Sequence, residues 1–144
     1  MKLTTILVVD DSVTIRAMLE VLLEQDRSLR IVGIAGDAEE TFELIRETDP
    51  DVVTLDIAMP GMDGMAVLER IMKEEPRPVI MLSALMREGD PLRVEAEMKG
   101  AAGCFNKSRM VAHSRELIDL IKEVAYQRNH RGDIPRLPLT ASGR

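Results

Sequence analysis

Tryptophan is absent from the 144-residue chain, and Phe42, Phe105 and Tyr126 are its only aromatic residues. That is too few for a platform on which bases stack. With a formal charge of -6, no basic groove is expected to track a nucleic-acid backbone either, so direct nucleic-acid binding is not expected. Cysteine is almost absent: Cys104 stands alone, which excludes an intrachain disulfide and a cysteine-based metal cage and fits a reducing, cytoplasmic compartment. Long apolar runs are missing as well. The first one, Ile6 to Val9, stops at Asp10 and Asp11, far short of a signal-peptide core or a membrane span. His113 and His130 are isolated and have no metal-ligand spacing.

What remains is a chain with 45% apolar residues, enough for one ordinary core and too little for two. Ile6-Leu-Val-Val9 is β-branched at three of four positions and predicts a strand covered on both faces. Helical spacing of Ile15, Leu19, Leu22 and Leu23 follows from Ser12 to about Gln25, with Asp11 or Ser12 as cap. Arg30 to Gly36 predicts a second strand, and Asp37 with Glu40 an acidic capping box before the second helix, which Pro50 ends. Val52 to Leu55 is the third strand, leading to Asp56. Pro60, Gly61 and Gly64 turn the chain away, and Asp63 caps a helix carrying Val67, Leu68, Ile71 and Met72. Val79 to Leu82 is the fourth strand, with Ser83 at its tip. Asp90-Pro91 starts a helix with Gly100 as its C-cap, and Gly103 to Asn106 leads to Lys107 before a last helix.

This alternation implies an α/β fold, an open parallel sheet with helices on both faces. The domain is expected to span residues 1–126. Residues 127–144 hold four arginines against one aspartate, with Gly and Pro and no periodicity, and read as a flexible basic tail or the start of a linker. Met59, Met62, Met65, Met72, Met81, Met86 and Met98 are expected to fill the core or pack loops, with Met86 available to a partner surface.

In a doubly wound sheet the ligand site lies beyond the carboxyl ends of the strands. Asp10, Asp56, Ser83 and Lys107 each end one strand, so parallel strands bring them to one rim, with Asp11 one residue later. Each has a bland reading: a helix cap for the aspartates, a solvated lysine for Lys107. Their coincidence at four strand ends points to a site instead. Three close carboxylates repel one another unless a hard cation neutralises them, and Mg2+ prefers such oxygen ligands. Asp11 and Asp56 are the expected direct ligands, Asp10 a ligand through water, and a backbone carbonyl just past Asp56, that of Ala58, a helper. Asp56 can then act as nucleophile on a phosphoryl donor, with Lys107 stabilising charge in transfer and Ser83 donating to a phosphoryl oxygen.

These residues resemble the receiver domain of two-component response regulators: the Asp10-Asp11 pair, Leu55-Asp-Ile-Ala-Met-Pro-Gly-Met-Asp-Gly64, Ser83-Ala84 and Lys107. The resemblance covers residues 5 to about 126. It implies a flavodoxin-like five-stranded sheet of order 2-1-3-4-5 and Mg2+-dependent phosphorylation of Asp56 by a sensor histidine kinase or phosphotransfer protein. It also implies self-limited hydrolysis and a downstream protein target reached through a phosphorylation-dependent surface. Two positions depart from the family pattern. The switch position three residues before the lysine, usually Tyr or Phe, is Cys104, and strand alternation should send Phe105 to the opposite face. Cys104 itself reads as a small buried hydrophobe rather than a redox sensor. Ser108 replaces the proline that often follows the lysine in a cis peptide, so a trans Lys107–Ser108 bond is expected. Ser108 to His113 reads as a longer loop than usual.

The rival function is a Mg2+-dependent small-molecule phosphatase or phosphotransferase, but no inserted cap or long loop is present to build its pocket. A degenerate receiver serving only as a scaffold is disfavoured by Asp56, Ser83 and Lys107 all being in place. No DNA-binding or enzymatic output domain follows the receiver, so the expected output, for a chain that is the complete product, is a protein contact. The alternative is the receiver portion of a longer chemotaxis regulator, because Pro78 to Ala84 is similar to receivers of chemotaxis methylesterases.

Overall fold

Five short strands, the first four rich in Val and Ile, form one parallel sheet: β1 (Thr4–Val9), β2 (Leu29–Ala35), β3 (Val52–Asp56), β4 (Val79–Ser83) and β5 (Gly103–Asn106). Their order is β2-β1-β3-β4-β5. The structure is a computed structural model and describes residues 3–59, 61–84 and 89–129. The expected roles of Pro60, Met86, His130 and most of the basic tail therefore lie outside the described residues. The doubly wound arrangement follows from the sequence alternation, since parallel neighbours need helical crossovers.

Strand alternation divides the core. Leu7, Val9, Val53, Leu55, Val79, Met81 and Cys104 pack against α2 (Ala38–Thr48), α3 (Gly64–Glu74) and α4 (Pro91–Met98), through Phe42, Ile45, Leu68, Ile71 and Ala96. Ile6, Val8, Val52, Ile80, Leu82 and Phe105 face α1 (Val13–Glu24) and α5 (Ser114–Asn129), through Leu19, Leu23, Leu117 and Ile121. Each fully buried Leu or Ile stabilises the fold by about 1.5–3 kcal/mol. Cys104 and Phe105 do lie on opposite faces, as adjacent strand residues must.

Helix starts are set by the expected caps. Ser12 Oγ accepts from Ile15 N–H at 3.2 Å, Asp63 accepts from the N–H groups of Met65 and Ala66, and Asp90 accepts from Leu92 N–H with Pro91 at the first helical position. Two bonds close the start of α2: Glu40 N–H donates to Asp37 Oδ1 at 2.8 Å, and the N–H of Gly36, one residue before the cap, donates to Glu40 Oε1 at 2.8 Å. Each cap satisfies donors that the first turn leaves unpaired.

Several details differ from the sequence reading. Lys99, not Gly100, caps α4. Gly100 follows at φ 108, the left-handed position where glycine is favoured. Helix α5 continues through Asn129, three residues past Tyr126. Met98 is 83% exposed rather than core, because α4 is only eight residues long and buries Ala96 alone. Ser108 to His113 is not an open loop: Lys107–Arg109 form a 3-10 turn capped by Asn106, and Met110 is wholly buried beneath it. The Lys107–Ser108 bond is trans.

Arg77 sits at the foot of the sheet, opposite the carboxyl ends. Its buried guanidinium donates to Asp49 Oδ1 at 3.0 Å and Pro50 O at 2.9 Å, and its Nε–H to Glu75 O at 2.9 Å. Arg128 of α5 adds a bond to Pro50 O at 3.1 Å. These bonds satisfy carbonyls where α2 ends and β3 begins.

Candidate functional site

Register places the acidic residues side by side. Val9 pairs with Leu55 across β1 and β3, so Asp10 emerges level with Asp56, while Asp56 itself pairs with Leu82 beside Ser83. Ser83 pairs with Asn106, which brings Lys107 to the same rim. Asp10, Asp56 and Ser83 are buried, held by a sheet whose alternation leaves them no other direction.

One carboxylate oxygen from each of Asp10, Asp11 and Asp56 lies within 4.8 Å of the others. Asp10 Oδ1 accepts from Ser12 N–H at 2.8 Å and Asp56 Oδ1 from Ala58 N–H at 3.0 Å, so each buried carboxylate has one oxygen fixed by backbone. Their other oxygens converge on one cation: Lys107 Nζ stands 2.8 Å from Asp10 Oδ2 and 2.9 Å from Asp56 Oδ2. Burial alone would depress the Lys107 ammonium, but hydrogen bonds to Asp10 and Asp56 outweigh it and hold its pKa above the ordinary lysine value.

The turn after Asp56 depends on glycine in two ways. Gly61 adopts φ 74, which a residue with a side chain rarely does. Gly64 has no such angle; a Cβ there would lie 2.7 Å from Ile57 O and 2.8 Å from Ile57 Cα. The first turn of α3 therefore packs directly on the backbone next to Asp56. The sequence reading assigned both glycines to the turn, whereas Gly64 serves a close approach.

A family model of the response regulator receiver domain matches residues 6–122. The chain belongs to the response regulator receiver family. It is 41% identical over 140 residues to protein-glutamate methylesterase/protein-glutamine glutaminase 2 of Nitratidesulfovibrio vulgaris, a match covering 93% of this chain and 38% of that protein. It is 38% identical to the similarly named protein of Pseudomonas aeruginosa, covering 96% of this chain and 42% of that one. The response regulator domain of Thermotoga maritima CheB superposes with a TM-score of 0.82 at 34% identity, covering 87% of this chain and 98% of that domain. The chain spans about two fifths of the length of the methylesterases it matches. As a receiver domain it is a signalling module of two-component systems.

In this receiver domain the predicted site residues Asp10, Asp11, Asp56, Ser83 and Lys107 meet at the carboxyl ends of β1, β3, β4 and β5. Ala58 lies two residues past Asp56 and is exposed. The donors are all hard carboxylate oxygens, and two of them already converge on a positive group, so the cluster fits the Mg2+ that receiver domains bind. Cys104 stands apart from this rim, buried against the α4 side, and burial pushes its thiol up to about 11. Sequence reasoning missed Arg16, whose Nε–H donates to the Asp10 carbonyl. It also missed Met110, which seats the turn that carries Lys107. Arg16 lies four residues after the Ser12 cap, in the first turn of α1, a spacing that could have revealed it.

Proposed function

We propose that the chain accepts a phosphoryl group on Asp56 from the phosphohistidine of a sensor kinase or phosphotransfer protein, in the cytoplasm, and signals through a surface altered by that modification. The convergence of Asp10, Asp11 and Asp56 with Lys107 bridging two of them carries this reading. An Asp56 carboxylate oxygen bonds to phosphorus as the phosphorus–nitrogen bond breaks, and the electron pair leaves with the imidazole nitrogen, which takes up a proton. Asp11 and Asp56 would hold Mg2+ directly, with Asp10 acting through water and the Ala58 carbonyl assisting. When bound, the ion neutralises charge on the phosphoryl oxygens. Lys107 moves from pairing with Asp56 to pairing with a phosphoryl oxygen, and Ser83 donates to another. Hydrolysis by water returns the carboxylate.

The new charge draws the Ser83 and Lys107 ends of β4 and β5 toward Asp56. Val94 and Met98 are exposed along the neighbouring α4, which favours this face as the one a target protein reads. The switch works through a small Cys104 instead of an aromatic ring.

Acetyl phosphate tests the site without a kinase. Incubation with Mg2+ is expected to give an acid-stable, base-labile adduct that a chelator prevents; no adduct under these conditions would overturn the proposal. A second reading, the receiver portion of a longer chemotaxis regulator, is favoured by the 41% identity to a methylesterase. The size of the endogenous protein on an immunoblot separates the two.

A further inference from the structure

Every polar group of Asp10 has a hydrogen-bond or ion-pair partner. Its N–H donates to Ala35 O at 3.0 Å, Oδ1 accepts from Ser12 N–H at 2.8 Å, and Oδ2 pairs with Lys107 at 2.8 Å. Its carbonyl accepts from Arg16 Nε–H at 2.5 Å. This last bond has no place in the phosphoryl chemistry, and it runs to a cation beside a cluster proposed to take another cation.

The Arg16 guanidinium occupies a seat made by Gly36. A Cβ at Gly36 would lie 2.6 Å from Arg16 Nη2 and otherwise no nearer than 3.8 Å to any neighbouring atom. The described glycines with positive φ are Gly61, Gly89 and Gly100, so backbone angle does not call for glycine at position 36. What an added methyl would meet is the tip of the guanidinium, which would have to move. The Gly36 N–H is meanwhile tied to Glu40 Oε1, which fixes the seat to the start of α2.

Asp11 is the one exposed member of the cluster, and its carboxylate has no hydrogen bond or ion pair among the described residues. With no side-chain partner to hold it, Asp11 is anchored only through its backbone, which the peptide to Asp10 orients. We propose that Arg16 is a positioning residue for the cation site: by holding the Asp10 carbonyl it fixes the Asp10–Asp11 peptide plane and aims Asp11 into the cluster. The proposal rests on the Mg2+ reading above.

Charge and position predict opposite signs. Arg16→Ala removes a positive charge near a cation site, so electrostatics alone would tighten Mg2+ binding. Positioning instead weakens it, by roughly tenfold, the lower range for residues that orient metal ligands. Gly36→Ala leaves every charge in place and displaces the guanidinium tip, so it should weaken Mg2+ in the same direction. The double variant should be little weaker than either single one, because both act on one contact.

Isothermal titration calorimetry with Mg2+ reads these affinities, with far-UV circular dichroism to confirm folding. In metal-free protein, the Asp11 amide resonance should shift in both variants. Gly36→Ala carries the test should Arg16→Ala fail to fold. Arg16→Ala binding Mg2+ as well as or better than wild type, or Gly36→Ala binding unchanged, would overturn the positioning role. Wild-type protein that binds no Mg2+ would instead overturn the function on which it rests.

Discussion

Lys107 Nζ lies 2.9 Å from Asp56 Oδ2 and, in the same geometry, 2.8 Å from Asp10 Oδ2, a single ammonium bridging two buried carboxylates. Removing it leaves both without their nearest positive charge. Lys107→Ala should therefore lose about 3 kcal/mol of stability in metal-free urea denaturation, the cost of breaking a buried pair. The same variant should bind Mg2+ more tightly, since the ion takes over the vacated role, and the stability gap should narrow as Mg2+ is added. A gap independent of Mg2+ would show that lysine and metal do not share these oxygens.

The pH dependence of this pair runs in one direction. The Lys107 pKa is raised on folding, so its stabilisation is complete below the unfolded lysine value and is lost only as pH climbs past it, above about 10.4. Urea melts between pH 6 and 9 should show no Lys107-dependent change, and a difference between wild type and Lys107→Met that shrinks within that window would contradict the assignment.

Asp26 contributes on the acid side. The Ser28 hydroxyl and Lys122 ammonium, with Ser28 N–H, hold its carboxyl well below the usual carboxylate range, and the Lys122 bond ties α5 to the end of α1. Because the folded pKa is lowered, this contribution is present above the unfolded value near 3.9 and fades as pH falls below it. Asp26→Asn should flatten that part of the acid limb. An unchanged acid limb between pH 4 and 2 would remove Asp26 from the account.

Gly64 is the most demanding position in the turn beyond Asp56. An alanine methyl would meet backbone atoms of Ile57 at 2.7 and 2.8 Å, and backbone gives way less readily than a side-chain tip. Gly64→Ala should cost about 1–3 kcal/mol and slow phosphorylation by acetyl phosphate, as the loop shifts. Stability and rate both at wild-type level would mean that α3 can move aside freely.

Cys104 should be chemically quiet. With the thiol pushed up to about 11 by burial, labelling by a disulfide reagent at pH 8 should be far slower in native protein than in guanidinium. Rapid native labelling would point to an exposed thiol and undo the reading of Cys104 as a core residue. Cys104→Phe, placed against Met81 and Ala96, should overpack this face by about 1–3 kcal/mol in urea melts.

The sheet and its rim were legible because strand tips and caps are local signals. Asp37, Asp63 and Asp90 precede helices with the spacing that capping requires, and Asp10, Asp56, Ser83 and Lys107 each follow an apolar run. What escaped depends on residues far apart in sequence. Arg77 lies between two prolines, and nothing local signals that its guanidinium is buried against Asp49 and Pro50. Met98 has the chemistry of a core residue but falls on the outer side of a short helix. Arg16 and Gly36 meet only once α1 packs beside β2.

Mapping the phosphoryl group tests the central claim most directly. Protein treated with acetyl phosphate and Mg2+ is reduced with borohydride, which converts an aspartyl phosphate to homoserine, and the digest is read by mass spectrometry. The account predicts one modified residue, Asp56, and no modification in Asp56→Asn. A label on another residue, or one that persists in Asp56→Asn, would contradict it.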